Sequence, residues 1–316
     1  MTILLIVVFL ASLFFLVRSS ALLISALTGL ARLFRLSEYT VAFIFMSFAT
    51  SISELFVGIT SAVSGVPILS LGNVLGANLL NITLIIGVVT LIHGTLEVES
   101  KISRKNFWFI FFLSLLPFLL GSDGVISRAD GLVLLISFFT YLWHVMGERE
   151  YFTRVVNQKP KGLWKLRKTT HDLFYFAAAI TVLLVSSAAL VWSGKQLADL
   201  FSIGLLSFGI IFLALGTSLP ELTFGIRAAL SKHGSMTVGN ALGSIAFNAT
   251  FIIGLVSIIH PIVITGMGQF FFVIGAFIIA FILFNIFVYR RTNISRKEGL
   301  ILIAIYIAFL VLESLF

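Results

Sequence analysis

The chain has 316 residues, of which 59% are hydrophobic and only 11% are charged, and its mean hydropathy is +1.13. A soluble globular protein carries about a quarter of its residues as charged ones, so this chain has too little polar surface for a fold that faces water. The composition excludes a soluble enzyme, a nucleic-acid-binding protein and a disordered protein, and it indicates a multi-span membrane protein; the net charge of +8 then belongs to the loops.

Apolar runs long enough to cross about 30 Å of hydrocarbon recur along the whole chain. They fall at 3–30, 39–63, 71–92, 106–121, 129–147, 172–198, 203–230, 238–259, 269–289 and 299–315. We therefore predict an all-α polytopic membrane protein with ten transmembrane helices. The first run, from Thr2 to Val17, could also be a signal peptide. No basic residue precedes it and no clear small-residue cleavage site follows it, so we expect it to remain as the first span.

The basic residues are sorted between alternate loops. Of the 21 lysines and arginines, 18 fall on the same predicted side of the membrane as the connector at 148–171. The exceptions are Arg18, Arg128 and Lys195. Because cytoplasmic loops carry the excess of Lys and Arg, we expect this connector in the cytoplasm and both termini outside the cell. We expect its basic cluster to contact anionic lipid headgroups. With no organelle-targeting signal, the expected location is the plasma membrane.

The two halves of the chain repeat one another. An offset of 167 residues aligns Ser51 with Ser218, Glu54 with Glu221 and Asn81 with Asn248 without a gap. The predicted units are residues 1–147 and 172–316, joined by the connector at 148–171. Each unit has five predicted helices, an odd number, so the second must enter the membrane from the opposite side. Two inverted five-helix repeats are typical of secondary transporters, whose binding site lies near the midplane between the repeats.

Two of the 13 acidic residues, Glu54 and Glu221, lie deep inside apolar spans, and the repeat makes them equivalent. A charged residue at the centre of a transmembrane helix costs on the order of 3 kcal/mol. A chain that bears this cost twice, at equivalent positions, is predicted to use the two carboxylates.

The residues around these glutamates supply oxygen and neither sulfur nor imidazole. Helical spacing places two sets on one face each: Ser47, Thr50, Ser51 and Glu54, and then Ala214, Thr217, Ser218 and Glu221. Two further sets are spaced by four residues: Asn73, Ala77 and Asn81, and then Asn240, Ser244 and Asn248. The chain has no cysteine. Oxygen ligands favour hard cations such as Ca²⁺, Mg²⁺ and Na⁺.

Proline and glycine predict a break in the seventh span. Pro220 removes a backbone donor, and Gly216 lies one turn earlier. A broken helix exposes main-chain carbonyls to an ion. Gly72 and Gly76, like Gly239 and Gly243, have the spacing that lets two helices approach closely.

Two stretches of the second half are Gly-Thr-Ser-Leu-Pro-Glu at 216–221 and Gly-Asn-Ala-Leu-Gly-Ser at 239–244. Together with their first-half counterparts, they resemble the two alpha-repeats of the cation/calcium antiporter superfamily, and most closely its prokaryotic sodium/calcium exchangers. The resemblance implies an antiporter in which Ca²⁺ and Na⁺ compete for one site. It implies Ca²⁺ binding by Glu54 and Glu221 with Thr50 and Thr217. The implied Na⁺ ligands, besides the glutamates, are Ser51, Ser218, Ser244 and the main-chain carbonyls of Ser47 and Ala214, and the implied central residues are Asn81 and Asn248.

Three departures from the family pattern change what is expected. Ala49 and Ser53 stand where the pattern has Gly and Pro, so we expect a milder helix break in the first half. Ala77 replaces a serine and removes a hydroxyl from one Na⁺ position. Asn248 stands where potassium-dependent relatives carry an aspartate, which argues against K⁺ dependence.

The function predicted from the sequence is Ca²⁺/Na⁺ exchange by alternating access, with no catalytic activity, no cofactor, no nucleic acid and no required protein partner. A Ca²⁺/H⁺ exchanger, or another divalent cation/H⁺ exchanger, on the same scaffold is the main alternative, because glutamates alone can carry protons. A cation channel is a remote alternative, because channels generally build their pores from rings of equivalent subunits. An intramembrane protease would need a Gly-x-Gly-Asp motif or a Ser/His pair at membrane depth, and the chain has neither.

Overall fold

The computed structural model describes residues 1–33, 47–97, 104–147, 166–231, 234–291 and 293–316. The predicted connector therefore lies largely outside the described residues, as does the start of the second predicted span. The described chain is mostly helical. A helix pairs its own backbone groups internally, so it can cross hydrocarbon without leaving them exposed.

The first half contains seven described α-helices and two short strands. They are α1 (Thr2–Leu33), α2 (Ser47–Thr50), α3 (Ile52–Val63), α4 (Pro67–Leu80), α5 (Ile86–His93), β1 (Thr95–Glu97), α6 (Arg104–Leu120), β2 (Val125–Ile126) and α7 (Arg128–Gly147). A π-helical turn, Asn81–Ile85, joins α4 to α5 into one continuous span. Pro67 begins α4, where its missing N–H leaves no helical bond unmade.

The second half repeats this order. Its elements are α8 (Leu166–Leu200), α9 (Leu205–Phe208), α10 (Ala214–Thr217), α11 (Leu219–Leu230), α12 (Ser235–Ala246), α13 (Ile253–Ile259), β3 (Ile262–Val263), α14 (Met267–Arg291), β4 (Asn293–Ser295) and α15 (Arg296–Glu313). π-helical turns at Gly209–Leu213 and Phe247–Ile252 join α9 to α10 and α12 to α13.

Within the described residues, five helical segments are long and apolar enough to cross a membrane, and a sixth joins them if α9 to α11 is counted as one bent span. The five are Thr2–Leu23, Pro67–His93, Phe176–Leu200, Met236–Ile259 and Met267–Tyr289. The fold is therefore that of a polytopic helical membrane protein. The count of ten spans stays a prediction. It is compatible with helices α1 to α15, because several of these helices follow one another within a single predicted span.

Burial separates central spans from peripheral ones. The spans Pro67–His93 and Met236–Ile259 are 78% buried within the protein, whereas Thr2–Leu23 is 28% buried. The peripheral helices expose large apolar side chains, for example Phe14 at 55% and Trp143 at 83%. Exposed apolar surface of this extent suits contact with lipid tails, while the buried spans carry the asparagines of the predicted site.

Glycines let the start of the seventh span approach α4 closely. A Cβ at Gly72 would lie 2.3 Å from the carbonyl oxygen of Leu206, and a Cβ at Gly76 would lie 2.3 Å from that of Ile210. No side chain fits at such a distance. The expectation that these glycines bring two helices together is confirmed for Gly72 and Gly76.

Two short antiparallel ladders add to the all-α class that the sequence predicts. β1 pairs with β4, placing Leu96 opposite Ile294, and β2 pairs with β3, placing Ile126 opposite Ile262. All four side chains are fully buried. Each ladder joins one half of the chain to the other. Strands of two or three residues carry no period-two pattern that the sequence could reveal, so only the tertiary contact creates them.

Several features recur in both halves at about the same offset as the sequence repeat. The π-helical turns at Asn81 and Phe247 are one such pair. Ser127 and Asp130 cap α7, with the Ser127 amide 2.8 Å from Asp130 Oδ2, and Ser295 and Glu298 form a capping box on α15. These pairs support the predicted repeat, whose inverted arrangement in the membrane stays a prediction.

We predict that Gly76→Ala lowers the free energy of unfolding by roughly 1–3 kcal/mol, because the added methyl group would force α4 away from Ile210. The measurement is the unfolding midpoint in detergent, followed by tryptophan fluorescence. The matched control is Gly275→Ala, also within a helix, where a Cβ would meet no atom within 4 Å. Equal midpoints for the two variants would contradict the packing role of Gly76.

Candidate cation-binding site

The two helix breaks in the spans that carry the glutamates have the same backbone geometry. Ser218 separates α10 from α11, which are bent by 40°, and has φ −83° and ψ 7°. Ser51 separates α2 from α3 and has φ −80° and ψ 11°. The backbone at the break residue is therefore alike in the two halves, although Ala49 and Ser53 replace glycine and proline in the first; that the first-half break is milder in bend angle stays a prediction.

The Ser53 side chain explains how a break forms without proline. Its Oγ lies 3.2 Å from the Thr50 carbonyl oxygen and 3.0 Å from that of Thr217. A hydroxyl within reach of these carbonyls can satisfy an acceptor that the interrupted helix leaves unpaired. Ser53 Oγ is also 3.0 Å from Glu54 Oε2, so its one proton can go to any one of these three acceptors, whereas Pro220 has no hydroxyl to offer Glu221.

The two carboxylates face the opposite halves of the chain. Glu54 is fully buried and Glu221 is 1% exposed. Ser51 Oγ donates to Glu221 Oε1 at 3.3 Å, and Ser218 Oγ lies 3.5 Å from Glu54 Oε1. Each serine thus reaches across to the glutamate of the other half. These crossed contacts bring the two negative charges into one polar cluster.

A second layer of crossed contacts holds the threonines. Thr217 Oγ1 donates to Asn73 Oδ1 at 2.9 Å, and Thr50 Oγ1 donates to Asn240 Oδ1 at 3.3 Å. Thr50 Oγ1 also lies 3.5 Å from Ser244 Oγ, and Ser47 Oγ donates to the Asn240 carbonyl at 3.1 Å. Ser47 O accepts the Ser51 amide and lies 3.4 Å from Thr50 Oγ1, and Ala214 O accepts the Ser218 amide.

The asparagines at the centre sit on the π-helical turns. The turn with Asn81 packs against α11, which carries Glu221, and the turn with Asn248 packs against α3, which carries Glu54. Asn248 Nδ2 donates to Asn78 Oδ1 at 3.1 Å. π-helical turns are frequent at functional sites, because the extra residue turns a side chain off the regular helical face.

Several oxygen atoms in this region are buried without a donor. They are Glu221 Oε2, Asn81 Oδ1 and Asn248 Oδ1. An unpaired buried acceptor costs about 1–3 kcal/mol, and more when it is charged. A cation is a suitable partner for both the carboxylate oxygen and the amide oxygens. Among the described residues no three His, Cys, Asp or Glu side chains cluster as metal ligands, so two carboxylates and neutral oxygens form the whole set.

The structure brings most of the residues predicted from the sequence into linked contacts, namely Ser47, Thr50, Ser51, Glu54, Thr217, Ser218, Glu221 and Ser244. Asn81 and Asn248 lie near the glutamates because their π-helical turns pack against α11 and α3, which carry Glu221 and Glu54. Ala77 is fully buried and adds no side-chain ligand, and its carbonyl accepts the Asn81 amide.

Asn78 and Ser53 are two site residues that the sequence alone does not predict as ligands. Asn78 has no counterpart in the repeat, because Ile245 occupies the equivalent position, so the offset gave no signal for it. Its Oδ1 nevertheless orients Asn248. Ser53 differs from its counterpart Pro220, and this difference between the repeats is the only sequence feature that points to a separate role for Ser53.

Comparison with known proteins gives a family match over nearly the whole chain. The family described as sodium/calcium exchanger protein matches residues 4–147 and 171–315. The two matched stretches lie on either side of the basic connector.

Similar proteins occur in archaea and bacteria. The sodium/calcium exchanger MaX1 of Methanosarcina acetivorans is 27% identical over 340 residues, covering 96% of this chain and 97% of that protein. The inner membrane protein YrbG of Escherichia coli is 27% identical over 252 residues, covering 78% and 77%. A solved structure of the sodium-calcium exchanger NCX_Mj, soaked with 100 mM Na⁺ and 10 mM Sr²⁺, has a TM-score of 0.69 and 25% sequence identity and covers 98% of this chain and 99% of that chain.

We predict that Ca²⁺ raises the unfolding midpoint of the purified protein by several degrees at saturation, because it binds the folded state and pairs its unpaired oxygens. Glu221→Gln and Glu54→Gln should each abolish this shift. The measurement compares midpoints in excess EGTA and in millimolar Ca²⁺ at constant ionic strength.

Asp199→Asn serves as the control, because it removes an exposed carboxylate and should keep the full Ca²⁺ shift. A Ca²⁺ shift that survives in both glutamate variants would contradict this site.

Proposed function

This chain belongs to the sodium/calcium exchanger family, and we propose that it exchanges Ca²⁺ for Na⁺ across a membrane at the site formed by Glu54 and Glu221. The observation that carries the proposal is the pair of buried carboxylates, linked by crossed serine contacts, beside buried oxygens that lack donors. The naming of MaX1 and NCX_Mj as sodium/calcium exchangers supports the same two ions. Members of this family are transporters rather than enzymes.

The charge of the site explains why exchange is favoured over leak. The two carboxylates carry −2, which one Ca²⁺ balances alone and which several Na⁺ balance together. An empty site would leave both charges unpaired in a low dielectric, and moving them across the bilayer in that state is costly. Only the loaded forms then switch easily between the two sides.

The proposed ligands divide between the two ions. Ca²⁺ would take Glu54 and Glu221 with oxygens of Thr50 and Thr217. Na⁺ would use the glutamates together with the remaining oxygens, those of Ser51, Ser218 and Ser244 and the carbonyls of Ser47 and Ala214. Asn81 and Asn248 would line the position between the carboxylates, and Ala77 would leave one Na⁺ position short of a hydroxyl.

The proposed movement is a slide of the first and sixth spans past the rest of the bundle. Helices α1 and α8 pack mainly against each other, in an apolar cluster that includes Leu16 and Leu190. The same cluster includes Val57 and Leu69 of the neighbouring helices, and Ser187 Oγ of α8 lies 2.9 Å from Thr60 Oγ1 of α3. Apolar contacts lack directional bonds, so in the proposed slide the pair shifts as a unit and exchanges this one hydrogen bond. We propose the plasma membrane as the location, with both termini outside and the connector at 148–171 in the cytoplasm.

Proton coupling is the second candidate. Ala77 favours it, because the missing hydroxyl weakens one Na⁺ position while leaving two carboxylates that can each carry a proton. The two candidates differ only in the ion that drives Ca²⁺ movement, so a transport assay separates them.

We predict that proteoliposomes loaded with Na⁺ and diluted into Na⁺-free buffer accumulate radiolabelled Ca²⁺, and that dilution into Na⁺ buffer prevents this. Glu54→Gln and Glu221→Gln should each reduce uptake to the level of protein-free vesicles, because either change leaves too little negative charge to hold Ca²⁺. Asp199→Asn should transport normally.

Ca²⁺ uptake that does not depend on Na⁺ but is driven by an imposed pH gradient would replace the proposal with Ca²⁺/H⁺ exchange. Uptake that is unaffected by either glutamate variant would overturn the site itself. Ca²⁺ flux without any counter-ion would indicate a channel.

We further predict that Ala77→Ser lowers the Na⁺ concentration for half-maximal inhibition of Ca²⁺ uptake severalfold, because it restores an oxygen equivalent to that of Ser244. The control is Ala62→Ser, which places a hydroxyl at a buried alanine in the apolar core. Unchanged Na⁺ dependence in Ala77→Ser would remove this position from the Na⁺ ligands.

A further inference from the structure

A third buried glutamate lies outside the proposed exchange site. Glu313, near the end of α15, is 1% exposed, and its Oε2 atom has no hydrogen-bond partner. The side chain makes no ion pair with any basic residue among those that the structure describes. The C-terminal end of a helix carries partial negative charge, which makes this position unfavourable for a second negative charge.

Two other buried polar side chains surround Glu313. Gln269 Nε2, from α14, donates to Glu313 Oε1 and also to Ser207 Oγ from α9. Gln269 is 8% exposed and Ser207 is 7% exposed. Three different helices therefore contribute one polar group each to a single buried cluster, which we call the Glu313 cluster.

Neither protonation state of Glu313 satisfies the cluster by itself. An ionised carboxylate leaves Oε2 without a donor or cation, and a carboxylic acid protonated at Oε2 leaves its O–H without an acceptor. An acid protonated at Oε1 could donate to the Gln269 amide oxygen, but its Oε2 would still be a carbonyl oxygen without a donor. Buried polar atoms in folded proteins are usually paired, and a cation or a water at Oε2 would complete the cluster. Gly266 is exposed, and a Cβ added to it would lie 3.5 Å from Gln269 Oε1. The cluster therefore lies close beneath the surface.

We propose that the Glu313 cluster is a second cation site, separate from the exchange site, that binds one monovalent cation, with Na⁺ as the matching ion. The Glu313 carboxylate is its ligand, and the Ser207 hydroxyl oxygen lies in the same cluster. One carboxylate carries −1, which Na⁺ balances, whereas Ca²⁺ would leave a buried positive charge. Hard oxygen atoms are the ligands that Na⁺ prefers.

The site is remote from Glu221, yet it lies on the same span. Ser207 precedes Glu221 by 14 residues, which corresponds to about 20 Å of helix. A cation held beside Ser207 ties the start of this span, α9, to the helix α14 and to the end of α15. The expected effect of the ion is therefore to stabilise this end of the bundle without entering the exchange site.

The test uses the full chain with the exchange site disabled by Glu54→Gln and Glu221→Gln. In this background we expect NaCl, compared with choline chloride at equal ionic strength, to raise the unfolding midpoint by a few degrees. Because the chain has no cysteine, tryptophan fluorescence is the readout rather than a thiol-reactive dye. Equilibrium binding of radiolabelled Na⁺ should give one ion per chain.

Adding Glu313→Gln should abolish both the Na⁺ shift and the bound Na⁺, whereas adding Asp199→Asn should leave them unchanged. Gln269→Leu, which keeps the carboxylate but removes its amide partner, should weaken Na⁺ binding severalfold, provided that the variants elute as a single species. An equal shift with KCl and NaCl would keep the site but overturn its assignment to Na⁺. No bound Na⁺ in the disabled background, or Na⁺ binding that survives Glu313→Gln, would overturn the site and leave a buried water at Oε2.

Discussion

The fold is organised around two carboxylates that cannot stay buried without compensation. Glu54 and Glu221 lie in spans that cross a low-dielectric region, where an unpaired charge costs several kcal/mol. Serine hydroxyls contact both of them. Ser51 and Ser218 reach across between the halves, and the broken helices leave carbonyls at the same level. In the proposed function, a bound cation balances the charge that these neutral groups leave.

Close helix packing makes this arrangement possible. Polar side chains as short as serine and threonine can reach a carboxylate on another helix only if the helix backbones approach closely. Gly72 and Gly76 allow that approach on one side, since each lies against a main-chain carbonyl. The π-helical turns at Asn81 and Asn248 then turn longer amide side chains toward the same region. Packing and ligand geometry are therefore set by the same few residues of the repeat.

The repeat is not exact, and its exceptions distinguish the two halves. Ser53 gives Glu54 a hydroxyl donor that Pro220 cannot give Glu221, whose Oε2 is left unpaired. Asn78 orients Asn248 and has no counterpart. Glu313 likewise belongs to one half only. Two carboxylates that are equivalent by sequence position thus occupy different environments, which suits the proposed exchange of ions of unequal charge.

The sequence alone determined the class of protein, the repeat and the glutamate pair, because composition and residue offset are properties of the chain itself. It also identified Thr50, Ser51 and their counterparts, since helical spacing fixes which side chains share a face. It could not determine the matching backbone geometry at Ser51 and Ser218, the crossed contacts between halves or the short ladders. These depend on which helices lie side by side, and contacts between residues far apart in the chain leave no local pattern. Only the tertiary structure could therefore reveal the roles of Ser53, Asn78 and Glu313.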